Sequence, residues 1–245
     1  MTFLLITLYA FLVAVSFGGK LPSGFKKCNL KQTSSRLCLP KAIESALRQM
    51  DRPIKSLGLV SLEPLVIPSL TIDAGSQYVA AKHTYQNLRV SGFNETTCSK
   101  AEFNYNEKTL NLDCVVPNFR MDFNYEIHGQ ILMTSVFGNG TGWIIFQDNH
   151  LGLTFKLGEY EKKGKTYFSI LHQQLSMQPR VIDFDVNNLF DGDQESADRV
   201  KKILKENVLE IYGDLRDGYE EAFGKIFAYI FEKVLENVPV SDIFG

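Results

Sequence analysis

Four cysteines are the residues of this sequence with the most chemistry to offer. Cys28 and Cys38 bound the stretch CNLKQTSSRLC, just ahead of a short helical pattern. They lack the C-x2-C spacing of zinc ribbons, and no second ligand pair stands at zinc-finger distance. Two thiols this close, in an oxidising compartment, form a structural disulfide. Cys98 and Cys114 flank AEFNYNEKTLNLD, whose Asn106–Glu107 is a turn between alternating residues. A hairpin folded there sets the two cysteines nearly opposite each other, so the expected bridges are Cys28–Cys38 and Cys98–Cys114.

The other reactive side chains form no site of recognised chemistry. His83, His128, His150 and His172 are scattered, with no H-E-x-x-H pattern. Glu126 and His128 share a strand face, which is commonly a packing or surface feature. Asp183, Asp185, Asp191 and Asp193 cluster without the ligand order of a calcium loop, and Asp193 reads as a helix cap. The run GNGTG, from Gly138 to Gly142, precedes a strand rather than a helix, so it reads as a hairpin turn and not a phosphate cradle. No G-x-S-x-G elbow is present. The expectation is a protein without metal or cofactor that is not an enzyme.

The elements that position these residues begin after an uncharged apolar run from Phe3 to Phe17. Its length suits a secretory signal peptide, residues 1–18, leaving 19–245 as a single secreted, extracellular domain. The sequons at Asn94 and Asn139 fit that route and predict a glycoprotein. Pro40 to Met50 reads as a short helix, with Ile43, Leu47 and Met50 at helical spacing. From about Ser69 to Asn187 the pattern is β, with long alternating segments that predict a strongly curved antiparallel meander.

From about Gln194 to Val238, apolar residues keep three-and-four spacing, about 65 Å of helix if unbroken. Gly213, Gly218 and Gly224 mark either a kink or close approaches of strand backbone. A helix this long with one apolar stripe needs an equally long partner, and only the meander supplies one. The fold class is therefore α+β: a long C-terminal helix wrapped by a highly curved antiparallel sheet, with a short N-terminal helix.

The composition is ordinary for one globular domain, 44% hydrophobic and 22% charged. A net charge of −2 gives no reason to expect nucleic acid or an anionic membrane surface as partner. No second apolar run reaches membrane-spanning length.

In order and spacing these features resemble the takeout / juvenile hormone-binding protein family of secreted insect proteins. The resemblance rests on the N-terminal cysteine pair running into CLPKAIESAL (Cys38 to Leu47), on LGLVSLEPLVI (Leu57 to Ile67), and on the long helix ending ENVPVSDIF (Glu236 to Phe244). The Cys98–Cys114 pair differs from the second bridge of the hormone-binding members and favours the takeout-like branch. The resemblance implies a carrier that holds juvenile hormone-like terpenoids, fatty acids or other lipids in an internal tunnel, in some members under circadian or feeding control. The expected liners here are Ile43, Leu47, Trp143, Ile145, Phe168, Ile170, Phe223, Phe227 and Ile230. The alternative is an interaction or signalling protein with a filled core, acting through a receptor.

Overall fold

The long strands in this chain cannot stay flat. A computed structural model describes residues 20–29, 35–75 and 77–244; the signal peptide expected over 1–18 lies outside them. Helix α1 (Ser35–Gln49) is followed by seven strands: β1 (Leu65–Ile72), β2 (Val79–Ser91), β3 (Thr97–Asn104), β4 (Thr109–Ile131), β5 (Thr134–Lys162), β6 (Lys165–Gln178) and β7 (Val181–Val186). Helices α2 (Gln194–Glu206), α3 (Val208–Leu235) and α4 (Val240–Ile243) complete the chain. β4 and β5 run 23 and 29 residues, several times the usual strand length. At that length the right-handed twist accumulates into a deeply curved surface.

All seven strands pair antiparallel in one sheet of order β1-β2-β4-β5-β6, with β3 on β4 and β7 on β5. The two long strands change partners midway. β2 pairs with β4 over Arg120–Ile131, and β3 with β4 over Thr109–Val115. β7 pairs with β5 over Gly142–Gln147, and β6 with β5 over His150–Lys162. The sheet thus has two ends of different make-up, joined through the β4–β5 pair.

Helix α3, 28 residues and about 42 Å long, lies along the concave face. It touches β1 on one flank and β6 on the other. A methyl group on Gly218 would stand 3.1 Å from Ile72 Cγ2, and one on Gly224 3.4 Å from Leu175 Cβ. These two glycines therefore serve close packing rather than a kink. β6 is an edge strand, and helix carboxylates satisfy its free amides: Ile170 N–H donates to Glu232 (2.7 Å) and Met177 N–H to Glu220 (2.8 Å).

Three details differ from the sequence reading. The C-terminal helix breaks at Asn207 (φ −122°, ψ 23°), not at a glycine. The Asn207 side chain donates to Ile203 O at 2.8 Å, the local competition with helix backbone that asparagine favours. Helix α1 begins at Ser35, upstream of Pro40, which forfeits only the bond to the fourth residue before it. The β4–β5 turn falls at Leu132–Met133, with φ of 51° and 61°, and not in the glycine run 138–142. Those glycines lie inside β5, where the chain after β7 crosses them. A Cβ on Gly138 would stand 2.7 Å from Asn188 O, and one on Gly142 2.6 Å from Val186 Cγ1. Leucine and methionine carry no turn signature, so nothing in the sequence pointed to this hairpin.

The cysteines are bridged as Cys28–Cys38 and Cys98–Cys114, the second pair directly opposite in register across β3 and β4.

Candidate functional site

Among the described residues, two cavities lie between sheet and helix, one toward each end of α3. The larger, about 240 Å³, lies beside α1. Its walls come from α1 (Ile43, Leu47), from the C-terminal half of α3 (Phe227, Ile230, Phe231), and from the β3 end of the sheet (Leu110, Leu112, Leu153). α1 stands over this space because Glu44, 4% exposed, accepts the Cys98 N–H at 3.0 Å. Lys41 (3.3 Å) and Arg48 (3.7 Å) flank the same carboxylate. The Cys98 amide, aided by both cations against the cost of burial, holds the Glu44 carboxyl below its ordinary range. A clamp of this kind fixes the lid helix to the disulfide-bridged hairpin.

The smaller cavity, about 150 Å³, lies at the other end, between α2, the first half of α3, and strands β2, β4, β5 and β7. Ile127, Val136, Ile144 and Leu215 are among its apolar walls. His83, Tyr85 and Tyr219 line it as well. Burial lowers the His83 pKa to about 4, and the neighbouring Ala81 backbone acts weakly against it. Burial also pushes the Tyr125 phenol on this wall up to about 12; its hydroxyl donates to Asn187 O at 2.6 Å.

Between the cavities stands a septum of closely packed aromatic rings. Phe119 and Phe223, both fully buried, line neither cavity. Phe119 meets Phe223 at 5.2 Å, Phe93 at 5.5 Å and Phe146 at 5.9 Å between centroids, mostly edge-to-face. Phe119 and Phe146 are register partners, at the point where β4 and β5 exchange neighbours. The interior is therefore divided where a single tunnel was expected.

The residues expected from the sequence are distributed unevenly over this interior. Ile43, Leu47, Phe227 and Ile230 come together on the α1-side cavity. Phe223 belongs to the septum. Phe168 is fully buried and packs 5.6 Å from the Phe103 ring. Ile170, partly buried, packs against the cluster of buried side chains that contains Phe168 without lining either cavity. Trp143 and Ile145 take the opposite strand face from Ile144 and Phe146. Trp143 lines an outer groove with Arg89, Asp122 and Asp185, under the Arg120 guanidinium at 5.3 Å. The run WIIF offers apolar residues at every position, so alternation alone leaves its phase undetermined. Phe25, which also lines the larger cavity, carried no periodic signal in its short irregular segment. His83 and Tyr85 were visible only as alternate residues of a strand.

Among the described residues no group of three or more His, Cys, Asp or Glu could hold a metal ion, and no helix is long and apolar enough to cross a membrane.

Known proteins share this fold. The chain is 22% identical over 231 residues to the circadian clock-controlled protein daywake of Drosophila melanogaster, covering 91% of this chain and 88% of that protein. It is 21% identical over 242 residues to daywake of Drosophila yakuba. The crystal structure of Epiphyas postvittana Takeout 1 superposes with a TM-score of 0.80 at 18% identity, covering 89% of this chain and 99% of that one, which establishes a common fold. The profile of the haemolymph juvenile hormone binding protein (JHBP) family matches residues 5–245, and the chain accordingly belongs to the takeout / juvenile hormone-binding protein family.

Proposed function

We propose that this protein is a secreted, non-enzymatic carrier of a small hydrophobic ligand, held in the cavity beside α1. The observation that carries this reading is the cavity of about 240 Å³ itself, walled almost wholly by aliphatic and aromatic side chains. A concave, apolar-lined space of this kind is the usual form of a small-ligand site. Each methylene transferred into it gains about 0.8 kcal/mol, so ten of them, about 8 kcal/mol, correspond to micromolar affinity without a charged anchor. The same cavity weighs against the alternative of a filled core acting only through a receptor.

The ligand class is a terpenoid, fatty acid or other lipid chain, and the family description names juvenile hormone for its haemolymph members. The two disulfides and the apolar N-terminal run support export with removal of residues 1–18. Asn94 and Asn139 are exposed and open to glycosylation on that route. The name of the daywake relatives supports expression under circadian control.

Native mass spectrometry of the secreted protein tests the transport reading. A co-purified apolar ligand is expected, displaced by an excess of a fluorescent fatty-acid probe. Ile230→Trp, which fills the α1-side cavity, should weaken probe binding at least tenfold; probe uptake equal to wild type in that variant would overturn this placement.

A further inference from the structure

The cavity at the opposite end of α3 is not a copy of the first. It is apolar except at one pole. His83 projects there from β2, 6% exposed, and its Nδ1 is buried without a hydrogen-bond partner among the described residues. Two residues along the same strand face, the Tyr85 hydroxyl lies 2.5 Å from that of Tyr219 on α3. The His83 ring stands 5.3 Å from Tyr85 and 6.5 Å from Tyr219 between centroids, and all three residues line this one cavity. Two hydroxyls own two protons and share one bond, which leaves one O–H over. An unpaired buried nitrogen and a spare hydroxyl facing one space are costly features in a folded protein, and a partner occupying that space accounts for both.

The pole also says which partner. Its wall contains no Lys, Arg, Asp or Glu. Burial keeps His83 uncharged at neutral pH and raises both phenols, so nothing there compensates an ionised ligand. A carboxylate or an ammonium would lie unpaired in apolar surroundings. A hydroxyl donates and accepts at one atom, and so satisfies the imidazole in either tautomer while taking the free tyrosine proton. A volume of about 150 Å³ suits a short chain or single ring rather than a long lipid.

We propose that this cavity is a second ligand site, selective for a small neutral apolar alcohol whose hydroxyl bridges His83 and the Tyr85–Tyr219 pair. The site is separate from the α1-side cavity and does not depend on that cavity being occupied.

The test uses the full secreted chain with 1-octanol, octyl methyl ether and octanoate as probes, followed by calorimetry. In Ile230→Trp, whose α1-side cavity is filled, 1-octanol should still bind, and at least tenfold more tightly than the ether, which lacks the donor, and than octanoate, which brings a charge. His83→Phe and Tyr219→Phe should each lower 1-octanol affinity tenfold or more and bring it level with the ether. Because a substitution in the interior can disturb folding, ¹⁵N NMR of the wild-type imidazole supplies an independent reading, with the His83 nitrogens shifting on 1-octanol titration. Equal affinity for alcohol and ether, an unmoved His83 signal, or a crystal structure grown with 1-octanol showing only water at His83 would each overturn the proposal. Loss of 1-octanol binding in Ile230→Trp alone would place the alcohol in the first cavity and also overturn it.

Discussion

The ring of Phe223 on α3 meets that of Phe119 on β4 at 86°, with centroids 5.2 Å apart, and this contact divides the interior. Neither ring has any solvent exposure. Truncating one should join the two cavities at the cost of packing. Phe223→Ala is expected to lose about 3–5 kcal/mol in urea unfolding. In a series of fluorescent fatty acids, the same variant should shift the preferred chain toward greater length. A preference that stays at the wild-type length would show that the septum does not set ligand size.

Glu232 should matter to the β6 edge more than its exposure suggests. Its carboxylate accepts the Ile170 amide at 2.7 Å from a strand with no neighbour on that side. Glu232→Ala leaves that amide without its partner, for an expected loss of about 1–3 kcal/mol. Native-state hydrogen exchange checks it residue by residue: the Ile170 amide should exchange faster, while amides in the β4–β5 pair keep their protection.

Acid should weaken the protein through His83. Its pKa in the fold is about 4 against an ordinary 6.5, so the unfolded chain binds the proton first. The stabilising effect of keeping this group neutral is complete above pH 6.5 and is lost as the pH falls from there to about 4. Over that window the loss amounts to roughly 3 kcal/mol. The phenols of Tyr85 and Tyr219, which face the imidazole, stay protonated throughout. Thermal melts from pH 7.5 to 4 should show a slope that flattens in His83→Phe; the same slope in both proteins would assign the acid sensitivity to other groups.

The Cys98–Cys114 bridge closes a short loop, with a sequence separation of 16. By loop-closure entropy it contributes about 3 kcal/mol. Replacing both cysteines with serine should lower the urea midpoint accordingly. Because Glu44 binds the Cys98 amide, the same variant should also loosen α1, read as faster exchange of its amides and faster exchange of a probe bound beneath it.

What the sequence made legible follows from periodicity. The strand alternation around Asn106–Glu107 placed Cys98 opposite Cys114, and the three-and-four spacing after Gln194 announced the long helix and its need for the sheet. Side-chain phase was legible on α3, where Phe227 and Ile230 sit one turn apart and face the same cavity. It was not legible in Trp143–Phe146, where apolar residues stand at every position and register decides which face is inward. The turn at Leu132–Met133 was hidden because ordinary side chains adopt left-handed φ there, held by the pairing of Ile131 with Thr134. The septum was equally hidden, since Phe119, Phe146 and Phe223 lie far apart in sequence and nothing local marks their convergence.

All seven strands precede α3 along the chain, and α3 is what spans the gap between β1 and β6. During synthesis the residues of the trough are therefore complete before those of its cover, which begin only at Val208 of 245 residues. A hydrophobic cargo present at that stage can settle onto an open surface, with no need to find an entrance afterwards. Long-range closure of this sort is also slow.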